Sequence, residues 1–562
     1  MDNSSFSSLD SEVGDDQQSV RLPDVVHTYS NGSRVARTRT STSLASSVSR
    51  SILSVRQIVE QAREDDQKMA RTETQAGETV DLNEAIRIAT NRSESIQPQE
   101  PETQTPLPAL DSGYAWVICA CVFLMMLATW GANGCYGVFL SHWLQVESFP
   151  GSSATDFALI GSIVLALAQA LAPLAQMASA ILGMKMVMLL GVALQTAGYL
   201  LASFSTKLWQ LYLTQGVLVG LGFAFIFNPA IVIFPEWFDK KRGLASGIIV
   251  SGSGVAGVVF SLASQAIIAR TGSPAWAQRM LAFFSVLGNT FAACLLKHRI
   301  PTQRLKTRRE IVTRFNVLFN VRVVKLPQVQ LITLWFVLML SCYVVALFSL
   351  SAYSTFVGLS SLQGSHVTAI FNGCQAIGRF IIGLTADYTG RVNLAVFLSL
   401  NVVILIFAMW INAMTAGVVY AYAVLSGLTF GVASTLNQPI VADSVPVELF
   451  PSAWSYENFW VGVFCMFCEV VALKLRDLTL AKPFIKAQIF CGCFASAGVL
   501  CILPIREWKI RRMLVARREA LEALKEHEKH TDEYERRQMM YDMLLRDGVK
   551  AYLTRLLYPV RA

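Results

Sequence analysis

The stretch Asn372-Gly-Cys-Gln-Ala-Ile-Gly-Arg-Phe-Ile-Ile-Gly-Leu-Thr-Ala-Asp-Tyr-Thr-Gly-Arg391 begins in an apolar span, carries an arginine well inside it and ends in a polar turn. An arginine at bilayer depth costs about 3 kcal/mol on insertion scales, so its presence marks a functional site by default. Asn372, Gln375 and Arg379 stand at i, i+3 and i+7 and share one helix face. That face needs protein or water as its neighbour, because lipid satisfies none of the three.

Around this stretch the chain reads as a polytopic membrane protein. Of 562 residues, 53% are hydrophobic and 15% charged, with a mean hydropathy of +0.45; soluble proteins average roughly 25% charged. From Tyr114 onward, apolar runs of about 20 residues, the length an α-helix needs to cross a bilayer, alternate with short polar breaks. Spans fall near 114–140, 157–180, 186–205, 208–234, 243–269 and 277–297, then near 329–356, 366–386, 393–412, 416–440, 454–475 and 485–504. The expected fold class is all-α, with twelve transmembrane helices in two pseudo-symmetric six-helix halves, 111–297 and 329–504. A tail over 1–110, too polar to fold alone, precedes them. A basic central loop, 298–328, joins the halves, and a charged helical tail, 505–562, follows.

Lys185, Lys240-Lys241-Arg242, Arg391 and the cluster Arg506, Lys509, Arg511 and Arg512 mark one set of breaks, and the central loop is the most basic. The positive-inside rule places that loop and both termini in the cytosol. The break holding Arg476 and Lys482 fits this least well. The net charge of +8 reads as orientation and attraction to anionic lipid, not nucleic-acid binding. The eleven cysteines lie in or beside apolar spans and read as small core residues, with no metal or disulfide framework. No nucleophile, base and orienting residue converge in the polar stretches, so neither an enzyme nor a cofactor is expected.

The two halves are similar to each other. Phe227-Asn-Pro-Ala-Ile-Val232 closes the fourth span, and Leu436-Asn-Gln-Pro-Ile-Val441 closes its counterpart six spans later. Matching six-helix halves with a site at their interface are the mark of the major facilitator fold. Gly378-Arg379-x3-Gly383-x2-Ala386-Asp387-x2-Gly390-Arg391 resembles the signature that such proteins carry between the second and third helix of a half; the first half keeps only Gly183-Met-Lys185. Asp111-Ser-Gly-Tyr-Ala-Trp116 resembles the opening signature of the monocarboxylate-porter family. Phe238-Asp-Lys-Lys-Arg-Gly-Leu-Ala-Ser-Gly247, leading into Ser251-Gly-Ser-Gly-Val-Ala-Gly257, resembles its second. With Phe149-Pro-Gly151 and Pro451-Ser-Ala453 the pattern is similar to the fungal branch, which includes carboxylate-permease homologues and riboflavin carriers. The resemblance covers about residues 111–505. It implies a secondary transporter working by alternating access in the plasma membrane, with the vacuolar membrane as the alternative.

Arg379 is the leading candidate ligand. A buried guanidinium grips a carboxylate in bidentate fashion, and the resemblance assigns this arginine to substrate-anion binding. A structural pair with an intramembrane acid is the alternative. Gln375 and Asn372 support it, and Asn133, Tyr136, Asn228, Tyr343 and Asn437 are further candidates along a substrate path. Asn228, Asn437 and Gln438 also stand where they can hydrogen-bond carbonyls freed by proline. Trp130, Tyr136, Tyr343 and Trp460 offer faces to a ring-bearing substrate, or serve as core. Gly378, Gly383, Asp387, Gly390 and Arg391, with Lys240, Lys241 and Arg242, read as gate or structural motif. Glu469 and Glu457 are candidates for proton coupling. Proton-coupled monocarboxylate carriers have an aspartate one turn before the arginine, where this chain has Gln375. They also have a lysine in the first span, where this chain has no basic residue between Trp116 and Leu140. The residues that drive lactate-type proton symport are therefore absent. The expected partners are a small-molecule substrate and the bilayer with its anionic lipids. The expected function is movement of a small organic anion, monocarboxylate-like, or a related metabolite. A carrier of a neutral or aromatic metabolite and a transport-fold nutrient sensor are the alternatives.

Overall fold

The computed structural model describes residues 108–111, 113–146, 149–299, 305, 310, 315, 321–477, 479–524 and 532–558. All fall in the unit Val59–Ala562; the unit Met1–Ile58, the rest of the expected N-terminal tail and most of the central loop lie outside them. Every regular element among the described residues is a helix.

Among the described residues nine helices are long and apolar enough to cross a bilayer: α1 (Tyr114–Trp143), α4 (Met184–Ala202), α5 (Leu208–Trp237), α6 (Arg242–Thr271), α8 (within Pro327–Phe356), α9 (within Ser361–Thr389), α10 (Arg391–Trp410), α11 (Ala416–Ser444) and α13 (within Ile485–Leu524). A tenth span is broken, with α2 (Ala154–Ala170) meeting α3 (Ala172–Leu182) at a bend of 51°. Two helices stand where the sequence places the remaining spans, α7 (Ala275–Leu295) and α12 (Phe450–Leu475). Buried polar residues, Gln278, Ser285 and Asn289, lower the hydropathy of α7. Stripes of exposed apolar side chains, such as Phe283, Leu287 and Phe291 on α7 or Ile377, Phe380 and Ile381 on α9, belong against lipid, since a soluble surface rarely carries patches of this kind.

The internal repeat is visible in the backbone. α2 opens with a capping box in which Ser153 Oγ accepts from Asp156 N and Asp156 Oδ2 accepts from Ser153 N. α9 opens the same way with Ser360 and Gln363. α3 and α9 then end on Gly183 (φ 89°) and Gly390 (φ 93°), a left-handed turn that favours glycine. Gly183 is thus the equivalent of Gly390, although the acid and arginine around it are missing.

The N-terminal and C-terminal helices meet most intimately where α6 crosses α9. A Cβ on Gly247 would lie 2.6 Å from the carbonyl oxygen of Arg379 and 2.8 Å from Gly383 Cα; a Cβ on Gly383 would lie 2.5 Å from Gly243 O. Small residues allow such backbone contact between membrane helices. Towards the other end the pair diverges. A Cβ on Gly254 would still touch Ala376 at 2.7 Å, but one on Gly373 finds Val258 Cγ2 only at 4.0 Å, and one on Gly257 finds nothing within 4 Å. Gly383→Ala is therefore expected to force the helices apart. Overpacking of this kind costs about 1–3 kcal/mol, and spin labels at the exposed positions Lys240 and Tyr388, with Cys294 and Cys493 replaced by serine, read it as a longer distance. An unchanged distance would count against the contact.

Prolines supply a second set of cross-links. Pro235 has no N–H to give Ile231 O, and Gln438 Nε2 of α11 donates to that oxygen at 3.0 Å. Pro439 likewise frees Thr435 O, which accepts from Ser246 Oγ of α6 at 2.6 Å. Both bonds join the two helix sets. The sequence places the end of the last span near 504, but α13 runs through Pro504 to Leu524. Good helix formers follow the proline, and two tail helices, α14 (Asp532–Leu545) and α15 (Val549–Leu557), fold back beside it. Arg506 Nη2 donates to Tyr558 O at 2.9 Å, and Arg555 pairs with Glu507 at 2.6 Å.

Candidate functional site

The site has two layers. One closes the basic end of the helix array, and the other lies deeper, around Arg379.

At the basic end the turn before α6 presents unpaired N–H groups, as every helix start does. Two carboxylates satisfy them. Asp111 accepts from the backbone N–H of Asp239, Lys240 and Lys241 at 3.0–3.1 Å. Asp387, from α9, accepts from Gly243 and Leu244 at 2.9 and 2.8 Å. The two signatures singled out in the sequence thus meet at one helix start, and aromatic contacts reinforce them: Tyr114 against Trp237, Trp116 against Phe238. Lys241 lies over the Trp116 ring and Lys240 is exposed.

Asp443, at the end of α11, is the hub beside this start. Arg391 Nη1 reaches its carboxylate at 2.7 Å, Arg242 Nη1 at 2.9 Å and Lys509 Nζ at 3.3 Å. Arg391 also pairs with Asp387 at 3.0 Å and donates to Asp239 O at 2.8 Å. Arg242 belongs to the N-terminal set and the other three to the C-terminal set, so the cluster ties the sets together. Gly378, on the same motif, lets α9 lie against the backbone of Leu428 in α11. Sequence reading singled out Arg242, Asp387 and Arg391 but not Asp443. Its signal was local, an acid in the last turn of α11 four residues after Pro439.

Deeper in, Arg379 is 6% exposed, roughly 15 Å along α9 from its end at Thr389. Its Nη1 donates to Val250 O at 3.2 Å and Ser253 Oγ at 2.5 Å, both on α6. Its Nε has no hydrogen-bond partner, and no carboxylate of the described residues lies within 4.0 Å. The alternative of a structural ion pair is therefore not realised among the described residues. One turn away Gln375 accepts from Tyr343 Oη at 3.3 Å and leaves Nε2 unpartnered. Asn437 has both side-chain polar atoms unpartnered, and Trp130 and Trp454 each have an unpartnered indole N–H. Buried polar groups are nearly always hydrogen-bonded, and leaving one unpaired costs about 1–3 kcal/mol. These groups lie on α1, α9, α11 and α12, and further unpartnered buried polar atoms lie on other helices, such as Gln169 of α2 and Asn289 of α7. Aromatic rings run from Trp130 through Phe227 to Trp454, with centroids 5.7 and 6.3 Å apart.

The other candidates lie elsewhere or play different parts. Asn372 and Asn133 are half-buried. Tyr136 is buried within the N-terminal set, its hydroxyl donating to Phe157 O at 2.7 Å. Asn228 staples helices: its Nδ2 donates to Ala168 O and Ala224 O, and its backbone carbonyl accepts from Gln176 Nε2. Trp460 is 38% exposed beside Tyr456 and Phe459. Glu457 is buried, whereas the side chain of Glu469 lies outside the described residues. Of the basic tail residues, Lys509 engages Asp443, and Arg506 engages Asn393 and α15.

A sequence profile of the Major Facilitator Superfamily matches residues 118–467. The chain is similar to the "Uncharacterized transporter ESBP6" of Saccharomyces cerevisiae, 39% identical over 82% of this chain and 70% of that one. It is also similar to the "Probable transporter MCH2" of the same yeast, 33% identical over 75% and 88%. Among solved structures, the human organic anion transporter MFSD10 (TETRAN) superposes with a TM-score of 0.57 at 15% identity, covering 70% of this chain and all of that one.

Proposed function

The chain belongs to the Major Facilitator Superfamily and is an integral membrane transporter, and on that premise we propose that it carries an organic anion, monocarboxylate-like in its charged group, by alternating access. One observation carries the reading. Arg379 is buried at mid-span without a carboxylate partner and with an unpartnered Nε. A guanidinium so placed is matched by the planar, bidentate carboxylate of a substrate. The Asp443 cluster and the backbone contact of α6 with α9 at Gly247 and Gly383 support a state closed at its basic end, the end this reading puts in the cytosol. The resemblance of solved structures to this chain at 15% identity supports the fold and not the substrate.

A second reading, transport of a neutral aromatic metabolite, is favoured by the rings of Trp130, Phe227 and Trp454 beside the polar layer. Uptake of radiolabelled lactate, phenylpyruvate and riboflavin into proteoliposomes separates the two. Saturable carboxylate uptake supports the anion carrier. Riboflavin uptake with flat carboxylate uptake would overturn it in favour of the second reading.

A further inference from the structure

The tail helix α15 has two opposed faces. Thr554 and Arg555, with Tyr558 just beyond the helix, are buried, whereas Val549, Leu553 and Leu557 are 77%, 50% and 65% exposed. The three exposed residues stand at i, i+4 and i+8 and form one apolar stripe.

Hydrogen bonds fix where this stripe lies. Arg506, in α13, donates through Nη1 to Leu556 O, through Nη2 to Tyr558 O at 2.9 Å and through Nε to Asn393 Oδ1 at 2.7 Å. Asn393 is in the first turn of α10, a membrane span, so the C-terminal end of α15 stands level with the edge of the helix array. Just before α15, Asp547 pairs with Arg511 at 3.1 Å. Arg506 and Arg511 are about 7.5 Å apart along α13, whereas α15 is about 13 Å long. The helix therefore crosses α13 obliquely instead of rising along it away from the array. Trp508, with Arg512 at 5.7 Å over its ring, marks the same level, since tryptophan collects where membrane meets water.

Charge completes the surface. Three acids of the tail are paired, Asp547 with Arg511, Glu507 with Arg555 and Asp542 with Arg518. Lys550, within α15, and Arg546, shortly before it, are exposed. An apolar stripe flanked by cations at the border of a helix array has the chemistry of a helix lying in the headgroup region of an anionic bilayer. Lipid already surrounds the array at this level, so any other occupant has to displace it.

We propose that α15 is an interfacial helix that docks on the bilayer at the basic end. Val549, Leu553 and Leu557 enter the leaflet, and Lys550 and Arg546 engage anionic headgroups. The surface lies apart from Arg379, and the inference holds whichever substrate the carrier takes.

Depth measurements on the full chain test this. With Cys294 and Cys493 replaced by serine, a nitroxide is attached to Leu553→Cys in nanodiscs of phosphatidylcholine, with or without phosphatidylserine. Collisions with oxygen, which concentrates in lipid, and with a water-soluble nickel chelate report the depth of the label, and a label at the exposed Glu535 provides the aqueous reference. With phosphatidylserine the Leu553 label is expected about 5–10 Å into the boundary between headgroups and acyl chains, and shallower without it. In Lys550→Gln/Arg546→Gln the shift on adding phosphatidylserine is expected to vanish. In Leu553→Glu/Leu557→Glu a label at Val549 is expected to lose its preference for oxygen. A Leu553 label as open to nickel as the reference overturns the proposal. So does a label shielded from both reagents, the sign of a second copy or another protein over the stripe. Equal depth with and without phosphatidylserine overturns the assignment of Lys550 and Arg546 to anionic headgroups.

Discussion

Asp443→Asn is expected to unseal the basic end. The substitution keeps the side chain's shape and removes the charge that Arg242, Arg391 and Lys509 share at 2.7–3.3 Å. Deleting one member of a buried ion-pair cluster costs about 3–5 kcal/mol, because the partners stay buried without compensation. Arg391 retains Asp387 and two backbone carbonyls, and Arg242 retains Phe238 O, so the lower figure applies. At about 3 kcal/mol the sealed-to-open ratio falls on the order of 100-fold. Label distances between Lys240 and Tyr388 should move from one short population to a long one. Asp443→Glu, which keeps the charge, should recover part of the short population. An unchanged distribution in Asp443→Asn would mean that the glycine contacts of α6 and α9 seal the end without the cluster.

The motif that opened the sequence reading held more of this site than composition did. Its helix face of Asn372, Gln375 and Arg379 and its Asp387–Arg391 turn were legible because an arginine and an aspartate are conspicuous in apolar surroundings. The span positions were legible for the same reason, since period and length alone separate a buried helix from a polar break. The partners were not legible. Asp443, Ser253 and Ser246 are ordinary polar residues near helix ends or on small-residue faces, and only the crossing of α6 with α9 and α11 gives them work. Gln438 was marked for a proline-freed carbonyl, but the carbonyl it binds, Ile231 O, lies on another helix and is freed by Pro235. Local sequence shows that a carbonyl is freed; tertiary packing decides who takes it. The bend between α2 and α3 at Leu171 is marked in the run 157–180 by Pro173, which stands in the first turn of α3, a signal that hydropathy and length alone pass over.

Arg379→Lys is expected to impair carboxylate flux nearly as severely as Arg379→Ala. In the wild type one edge of the guanidinium is engaged: Nη1 holds Val250 O and Ser253 Oγ of α6, while Nε is unpartnered. Lysine keeps the positive charge but presents a compact ammonium, without the planar fork that meets two carboxylate oxygens at once. If that ammonium settles on Val250 O and Ser253 Oγ, little of it remains for a substrate. Losing one charge-assisted hydrogen bond costs about 1.5–3 kcal/mol, which corresponds to roughly 10- to 150-fold in kcat/KM. Arg379→Ala loses the charge too and should be lower still. A structural arginine predicts the opposite pattern, because an ammonium that restores the bonds to α6 would restore flux as well. Kinetics of radiolabelled phenylpyruvate and lactate uptake decide between them, with the Lys240–Tyr388 distance measured alongside. A short, wild-type distance combined with lost flux places the defect in substrate binding, and wild-type flux in the lysine variant removes Arg379 from the binding site.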